Sequence, residues 1–254
     1  MVKSIDFVLT NVQIVMRRNN LKVGCCGWSR LDCKKYFGNG WKDKFKSKLE
    51  AYSKLYSVVE VNSTFYKLPS IKTAEKWRSQ VPEIFEFTVK AHQIITHKDR
   101  FKTDVSINAF KQTLEVAKAL KAKFILLQCP ASWKATESNI RDFKRFLRNV
   151  NNRIAWEPRG WVDKPEKVKE LCEEFNIIHC VDLFRSLPCY GKIGYFRLHG
   201  LGKRMMYDYK FSDEELKWVR KILDKINVKQ GYIFFNNIFM YEDALRFLRW
   251  IKTI

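Results

Sequence analysis

Eight short runs rich in β-branched and aromatic residues recur from residue 22 onward, separated by longer amphipathic stretches, and this alternation restricts the fold more than any other feature. The runs are Lys22 to Gly27, Val58 to Val61, Glu86 to Ala91, Phe124 to Gln128, Arg153 to Glu157, Ile177 to Val181, Tyr195 to His199 and Tyr232 to Asn236. Several of the stretches between them carry helical signals. Ile107, Phe110, Leu114, Ala117 and Leu120 make one apolar stripe, and Val168, Leu171, Cys172 and Phe175 make another, entered through Asp163 and Pro165. Ser212 and Glu215 form a capping box ahead of Leu216, Val219, Leu223 and Ile226, and Ala244, Leu245, Leu248 and Ile251 make the last stripe.

Repeated strand-helix units build either an open doubly wound sheet or a closed barrel. The open sheet usually places a glycine-rich phosphate turn after its first strand, and Gly24-Cys25-Cys26-Gly27 does not fit that fingerprint. The sequence therefore predicts an α/β fold, a single (β/α)8 TIM-type barrel over residues 21–254. Residues 1–20 form an N-terminal extension whose alternating stretch, Ile5 to Val15, has no place in the barrel pattern.

Hydrophobic residues make up 46% and charged residues 30% of the 254, a balance that excludes a disordered or fibrous chain. No apolar run approaches the roughly 18 residues needed to cross a bilayer, and the first residues lack a signal-peptide pattern. The expectation is a cytoplasmic protein without a membrane partner. The seven cysteines are odd in number and show no C-x-x-C spacing, which argues against a disulfide framework or a structural zinc site. Lys and Arg outnumber Asp and Glu by 48 to 27, for a formal charge of +21. Such an excess attracts polyanions, so an anionic small molecule or a nucleic acid is the expected partner. Lysines such as Lys42, Lys44, Lys46 and Lys48 equally fit a solvated helix surface. The oligomeric state is not written in the chain.

Side chains alternate along a strand, so in a barrel every second residue faces the interior. With Val59 and Val61 facing the helices, Glu60 and Asn62 point inward; with Phe87, Val89 and Ala91 outward, Thr88, Lys90 and His92 point inward. The same parity turns Gln128, Glu157, Tyr195, Arg197, His199 and Asn236 inward, with Arg159 just beyond the fifth strand and Asp182 just after the sixth. Polar groups thus gather at the C-terminal strand ends, where barrels of this kind carry their active sites. Glu60, Glu157 and Asp182 match Lys90, Arg159 and Arg197 in number, so an internal ion-pair network is the competing reading.

The segments Gly24 to Trp28 (GCCGW), Val59 to Ser70 (VEVNSTFYKLPS), Lys90 to His97 (KAHQIITH), Leu127 to Ser132 (LQCPAS), Phe196 to Gly200 (FRLHG) and Phe234 to Asn237 (FFNN) resemble the domain-of-unknown-function family 72, also called the YecE-like family. The likeness covers about residues 22 to 250. It implies a TIM-type barrel and brings no established reaction. Carried over by motif, it marks Trp28, Glu60, Asn62, Thr64, Phe65, Tyr66, Pro69, Lys90, His92, Thr96, His97, Gln128, Pro130, Glu157, Arg159, Arg197, His199, Gly200, Asn236 and Asn237. Two departures stand out. The family's usual glutamate-Phe-Arg-His reads Glu157-Pro158-Arg159-Gly160 here, and its second proline after the glutamine is Ala131.

These residues point to a hydrolase acting on a phosphate ester or phosphodiester, with nucleic acid among the candidate substrates. Lys90, Arg159 and Arg197 would hold the anion, Glu157 or Glu60 would activate water, and His92, His97 or His199 would protonate the leaving oxygen, with Asp182 also in the catalytic set. Trp28, Asn62, Tyr66, Gln128, Tyr207, Asn236 and Asn237 complete the substrate-binding set. The loop Gly200-Leu201-Gly202-Lys203-Arg204 follows the seventh strand, where barrels often bind phosphate. No cofactor is predicted and no tightly held metal, since the chain has four histidines, but the set leaves room for a loosely bound divalent ion. Two other functions compete. One is a glycoside-processing enzyme using Glu60 and Glu157 as acid and base, with Trp28, Tyr66, Trp161, Tyr207 and Tyr209 stacking on sugars. The other is a non-catalytic nucleic-acid binder.

Overall fold

The computed structural model describes residues 21–150, 153–202, 205–226 and 229–252. The stretch Ile5 to Val15 and the basic pair Lys203-Arg204 lie outside them. Eight parallel strands close into a barrel in sequence order: β1 (Leu21–Cys25), β2 (Val58–Val61), β3 (Glu86–Lys90), β4 (Ile125–Cys129), β5 (Ile154–Pro158), β6 (Ile178–Val181), β7 (Ile193–Leu198) and β8 (Gln230–Phe235). Closure is made by β1 against β8, in register from Leu21 with Gly231 to Cys25 with Phe235. Each strand falls within a few residues of its predicted run. Among the described residues, no helix is long and apolar enough to cross a membrane.

Helices surround the sheet. Three short ones, α1 (Cys33–Phe37), α2 (Trp41–Lys44) and α3 (Lys48–Ser53), follow β1, and α4 (Ile71–Ser79), α5 (Asp104–Ala119) and α6 (Glu137–Arg148) follow β2, β3 and β4. After β5, β7 and β8 come α7 (Pro165–Phe175), α8 (Asp213–Lys225) and α9 (Met240–Lys252). The caps act as the sequence predicts. Pro165 opens α7, where its missing N–H costs nothing. At α8 both halves of the Ser212–Glu215 capping box form.

One connection breaks the alternation. Residues 182–192, between β6 and β7, contain no helix. The segment has no helical stripe, and Pro188 and Gly191, the latter at φ 107°, oppose one. Phe184 fills part of the missing helix's place, stacking on Phe211 at 5.3 Å and on Trp218 of α8 at 5.0 Å.

Parity sorts the core into two. Val59, Val61, Phe87, Val89, Leu127, Trp156, Phe196 and Phe235 are buried against the helices. Val58, Phe124, Leu126, Ala155, Cys180, Tyr195, Tyr232 and Phe234 pack together inside the barrel, as a floor beneath the C-terminal mouth. Outside β5, Trp133 stacks on Trp161 at 4.9 Å and Phe143 lies 4.7 Å from Trp156. Gly160 allows this cluster to form. A Cβ there would sit 2.1 Å from the Trp133 carbonyl oxygen and 2.7 Å from that of Ala131. The backbone of the loop after β4 thus occupies the space of any side chain at 160. Gly160→Ala is expected to lower the unfolding free energy in urea by about 1–3 kcal/mol, the cost of forced overpacking. An unchanged midpoint would contradict that close approach.

Candidate active site

Above the aromatic floor lies a layer of ions. Arg197, from β7, is 0% exposed and spans the barrel between two carboxylates. Its Nε and Nη2 donate to Glu60 of β2 at 2.9–3.2 Å, and its Nη1 donates to Glu157 Oε2 of β5 at 2.6 Å. Glu60 is equally sealed. It also accepts from the Tyr195 hydroxyl (2.7 Å), itself paired with Thr88, and from the Cys26 thiol (3.1 Å). Burial disfavours charge on Arg197, but Glu60 and Glu157 overcome that and hold its pKa far above the ordinary value.

This geometry corrects two expectations. Glu60 has no face open to water or substrate, so it does not qualify as a base, and with it goes the acid–base pair that the glycoside reading requires. Arg197 is not an anion hook. Three of its nitrogens are spent on carboxylates, which makes it a strut that fixes Glu60 and Glu157.

The next layer is reachable. Arg159, whose side chain is 26% exposed, donates from Nε to Glu157 Oε1 (2.6 Å) and from Nη2 to His199 Nε2 (2.6 Å). Burial acts to raise the pKa of Glu157, yet Arg159, Arg197 and His199 together hold it well below the usual carboxylate range. His199 Nε2 also meets Arg197 Nη1 at 3.2 Å. A guanidinium only donates, so Nε2 must be the unprotonated nitrogen. The proton then sits on Nδ1, which donates to Asp182 Oδ2 at 3.0 Å. The same oxygen accepts from the His199 backbone N–H (3.1 Å), and Oδ1 accepts from that of Phe184 (3.1 Å). Burial lowers the His199 pKa and Asp182 offsets this only in part, so the ring is neutral at pH 7. Its lone pair, on Nε2, is the one that the two guanidiniums cover. The ring can act as an acid only after it has taken up a proton.

Lys90, at the end of β3, is the one inward cation of the predicted three without an ion-pair or hydrogen-bond partner among the described residues; its ammonium lies 4.0 Å over the Phe65 ring. Burial first, and then Arg197, lower its pKa to about 8. The loop after β3 makes a five-residue π-turn, Ile94–Lys98, followed by Arg100 and Phe101 with φ of 55° and 66°. Such turns and non-glycine left-handed residues concentrate at functional sites. The loop sets His97 edge-on to Phe65 at 4.8 Å, with Nδ1 on the Thr96 hydroxyl (2.8 Å), and burial followed by Lys90 lowers its pKa to about 4. His92 is tied on both sides, to the Tyr66 carbonyl (3.2 Å) and the Ile94 N–H (3.4 Å), and braces two loops rather than facing the ionic layer.

The remaining predicted residues divide. Gln128 is buried in register with Glu157, its amide donating to the Cys129 carbonyl. Asn236 ends β8 half-buried, Asn62 reaches the Cys26 carbonyl at 3.4 Å, and Tyr207 lies edge-on to His199 at 5.7 Å. Trp28 packs on Trp77 of α4 and Tyr66 stands 71% exposed. Asn237 lies outside the site: one residue past inward Asn236, it faces outward and donates to Asp243 and the Tyr209 carbonyl. Trp161 is buried on Trp133, and the Tyr209 hydroxyl is bonded to Glu215, so neither offers a free sugar platform. Tyr195 and Cys26 were missed as partners of Glu60 although parity turns both inward. Arg185, three residues after Asp182 and 4.0 Å from its carboxylate, was missed too.

Glu157, Arg159, Asp182 and His199 line one wall of a cavity of about 310 Å³ at the mouth. No group of three or more His, Cys, Asp or Glu side chains that could hold a metal ion occurs among the described residues. The arrangement can therefore offer a neutral imidazole base backed by a carboxylate, one adjustable guanidinium and one desolvated ammonium.

Two substitutions separate strut from hook. Arg197→Met leaves buried Glu60 without a counter-ion and Glu157 with Arg159 alone, and should cost about 3–5 kcal/mol in chemical denaturation. Lys90→Met should instead stabilise the fold. With its pKa moved from 10.5 to about 8, keeping Lys90 charged at pH 7 costs on the order of 3 kcal/mol. Loss of stability in Lys90→Met would mean that the ammonium has a counter-ion after all.

Comparison with known proteins agrees with this architecture. UPF0759 protein YunF of Bacillus subtilis (strain 168) is 25% identical over 233 residues, covering 77% of this chain and 82% of its own. The crystal structure of a DUF72 family protein from Thermotoga maritima superposes with a TM-score of 0.69 at 24% identity, over 92% of this chain and 99% of that one. Endonuclease IV from Thermus thermophilus shares the fold at a TM-score of 0.51 and 12% identity, over 92% of this chain and all (100%) of that one. The family model described as "Protein of unknown function DUF72" matches residues 22–253, so the chain belongs to that family.

Proposed function

We propose that this barrel is a hydrolase of phosphate esters, working without a protein-held metal. The observation that carries the reading is the position of Arg159, which covers the lone pair of His199 at the head of an open cavity. An anion entering there competes for the guanidinium. As Arg159 turns its Nη edge to the phosphate, keeping Nε on Glu157, His199 Nε2 loses its 2.6 Å donor and keeps only the longer contact from Arg197 (3.2 Å), within a site that now contains the ester. Water donates a proton to Nε2 as its oxygen attacks phosphorus, and Asp182 steadies the imidazolium. The alkoxide leaves on the side of phosphorus away from the attacking water and takes its proton from solvent, to which the imidazolium returns its own, so R–O–PO₃ and water give ROH and phosphate. Lys90 and Arg159 balance the charge that grows on the phosphoryl oxygens.

Support for the competing readings is weaker. The glycoside reading loses Glu60. A passive nucleic-acid binder would have no use for a buried Asp182–His199 pair. A phosphodiester in nucleic acid remains within the proposal as a finer variant, and the likeness to endonuclease IV, one of fold alone, adds nothing to it.

Activity on p-nitrophenyl phosphate and bis-p-nitrophenyl phosphate tests the reading through its pH profile. The His199 pKa is depressed, so the base form persists as pH falls below 6.5 and the acid limb of kcat/KM lies under that value. Lys90 loses its proton near pH 8, which sets an alkaline limb that Lys90→Arg should remove. His199→Gln should lower kcat about 10²–10⁴-fold. A profile flat from pH 5 to 9, or full activity in His199→Gln, would contradict the mechanism.

A further inference from the structure

The cavity has a second wall that hydrolysis of a bare phosphate group does not use. Besides the polar groups it is lined by Val162, Pro165, Val168, Leu187 and Met206, and it takes in residues of β6 and of α7. Residues 182–192 carry no helix at that edge of the ring, and Arg185, Ser186, Leu187 and Cys189 of this connector line the space instead. Two of its polar residues are paired with each other: His179 Nδ1 accepts from the Cys189 backbone N–H, and the Cys189 thiol lies on the same nitrogen, both at 3.2 Å. Arg185 reaches Met206, Nη2 to Sδ 2.8 Å, and so links the connector to the loop after β7 across the cavity rim.

Resting on the phosphate-ester reading, we propose that this annex binds the alcohol half of the substrate, and that the substrate is a small phosphate monoester of an apolar alcohol, aryl or branched alkyl. At about 310 Å³ the cavity lies at the lower end of small-ligand pockets, enough for one ring or a short branched chain beside a phosphate. Its contents are complementary end to end. The phosphate meets Arg159 and His199, and the carbon skeleton meets the apolar side chains. A polynucleotide fits this poorly, because each phosphate there is flanked by polar sugars.

Isothermal titration with benzylphosphonate and methylphosphonate, neither of which can be hydrolysed at a P–O–C ester bond, tests the annex. The wild-type protein should bind the benzyl compound at least tenfold more tightly, through burial of one ring. Leu187→Trp, filling the annex, should bring benzylphosphonate to the methylphosphonate level and leave methylphosphonate unchanged. If circular dichroism shows that variant unfolded, Val162→Trp at the exposed rim replaces it with the same expectation. Equal affinity for both compounds in the wild-type protein overturns the annex and spares the phosphate reading. Benzylphosphonate binding that survives Arg159→Met overturns the phosphate reading and spares the apolar subsite. No binding of either compound overturns both.

Discussion

The guanidinium of Arg197, at 0% exposure between Glu60 and Glu157, is the interaction on which the rest of the site depends. An unpaired charge at that depth would carry a desolvation penalty of several kcal/mol, so the two carboxylates and the cation can exist there only together. Their pairing crosses the barrel, since β7 supplies the cation and β2 and β5 supply the anions. It converts a closed sheet into a frame whose far sides are held in register by charge as well as by the aromatic floor beneath. Hydrophobic residues of similar volume would hold the barrel at least as well. The ionic solution makes sense for what it orients in the layer above.

That layer inherits its order. Glu157, fixed from below by Arg197, offers its other oxygen to Arg159; Arg159 then covers His199, and Asp182 fixes the ring from behind. Each group has one neighbour below or behind that sets its orientation. Exposure rises step by step, from Arg197 at 0% through Glu157 at 7% to Arg159 at 26%. Lys90 stands apart as the cation that the frame does not neutralise. Its cost to the fold is what an entering anion would offset in the proposed reaction.

Much of this was legible because alternation is a hard rule. Once Val59 and Val61 face the helices, Glu60 must face inward, and the same reasoning placed Lys90, Glu157, Arg197 and His199 without a contact being known. It would also have excluded Asn237, which follows inward Asn236 and so points out. The motif resemblance overrode parity there. What parity cannot supply is distance across the barrel. Lys90 and Arg197 look alike in sequence, yet among the described residues one has no ion-pair partner and the other has two, because pairing depends on reach from opposite strands. The connector after β6 carried a readable warning in Pro188 and Gly191. The cavity it leaves depends on how Phe184 and Leu187 pack, which no local pattern encodes.

The protonation of His199 tests the account most directly, since two donor-only guanidiniums on Nε2 permit a single tautomer. Nitrogen-15 NMR of histidine-labelled protein, with His199 assigned by His199→Gln, should show Nδ1 protonated and Nε2 bare in the free protein from pH 6.5 to 8. Addition of a phosphonate should then alter the Nε2 resonance as Arg159 withdraws. A proton on Nε2, or an imidazolium at neutral pH, would contradict the arrangement from which the proposed chemistry follows.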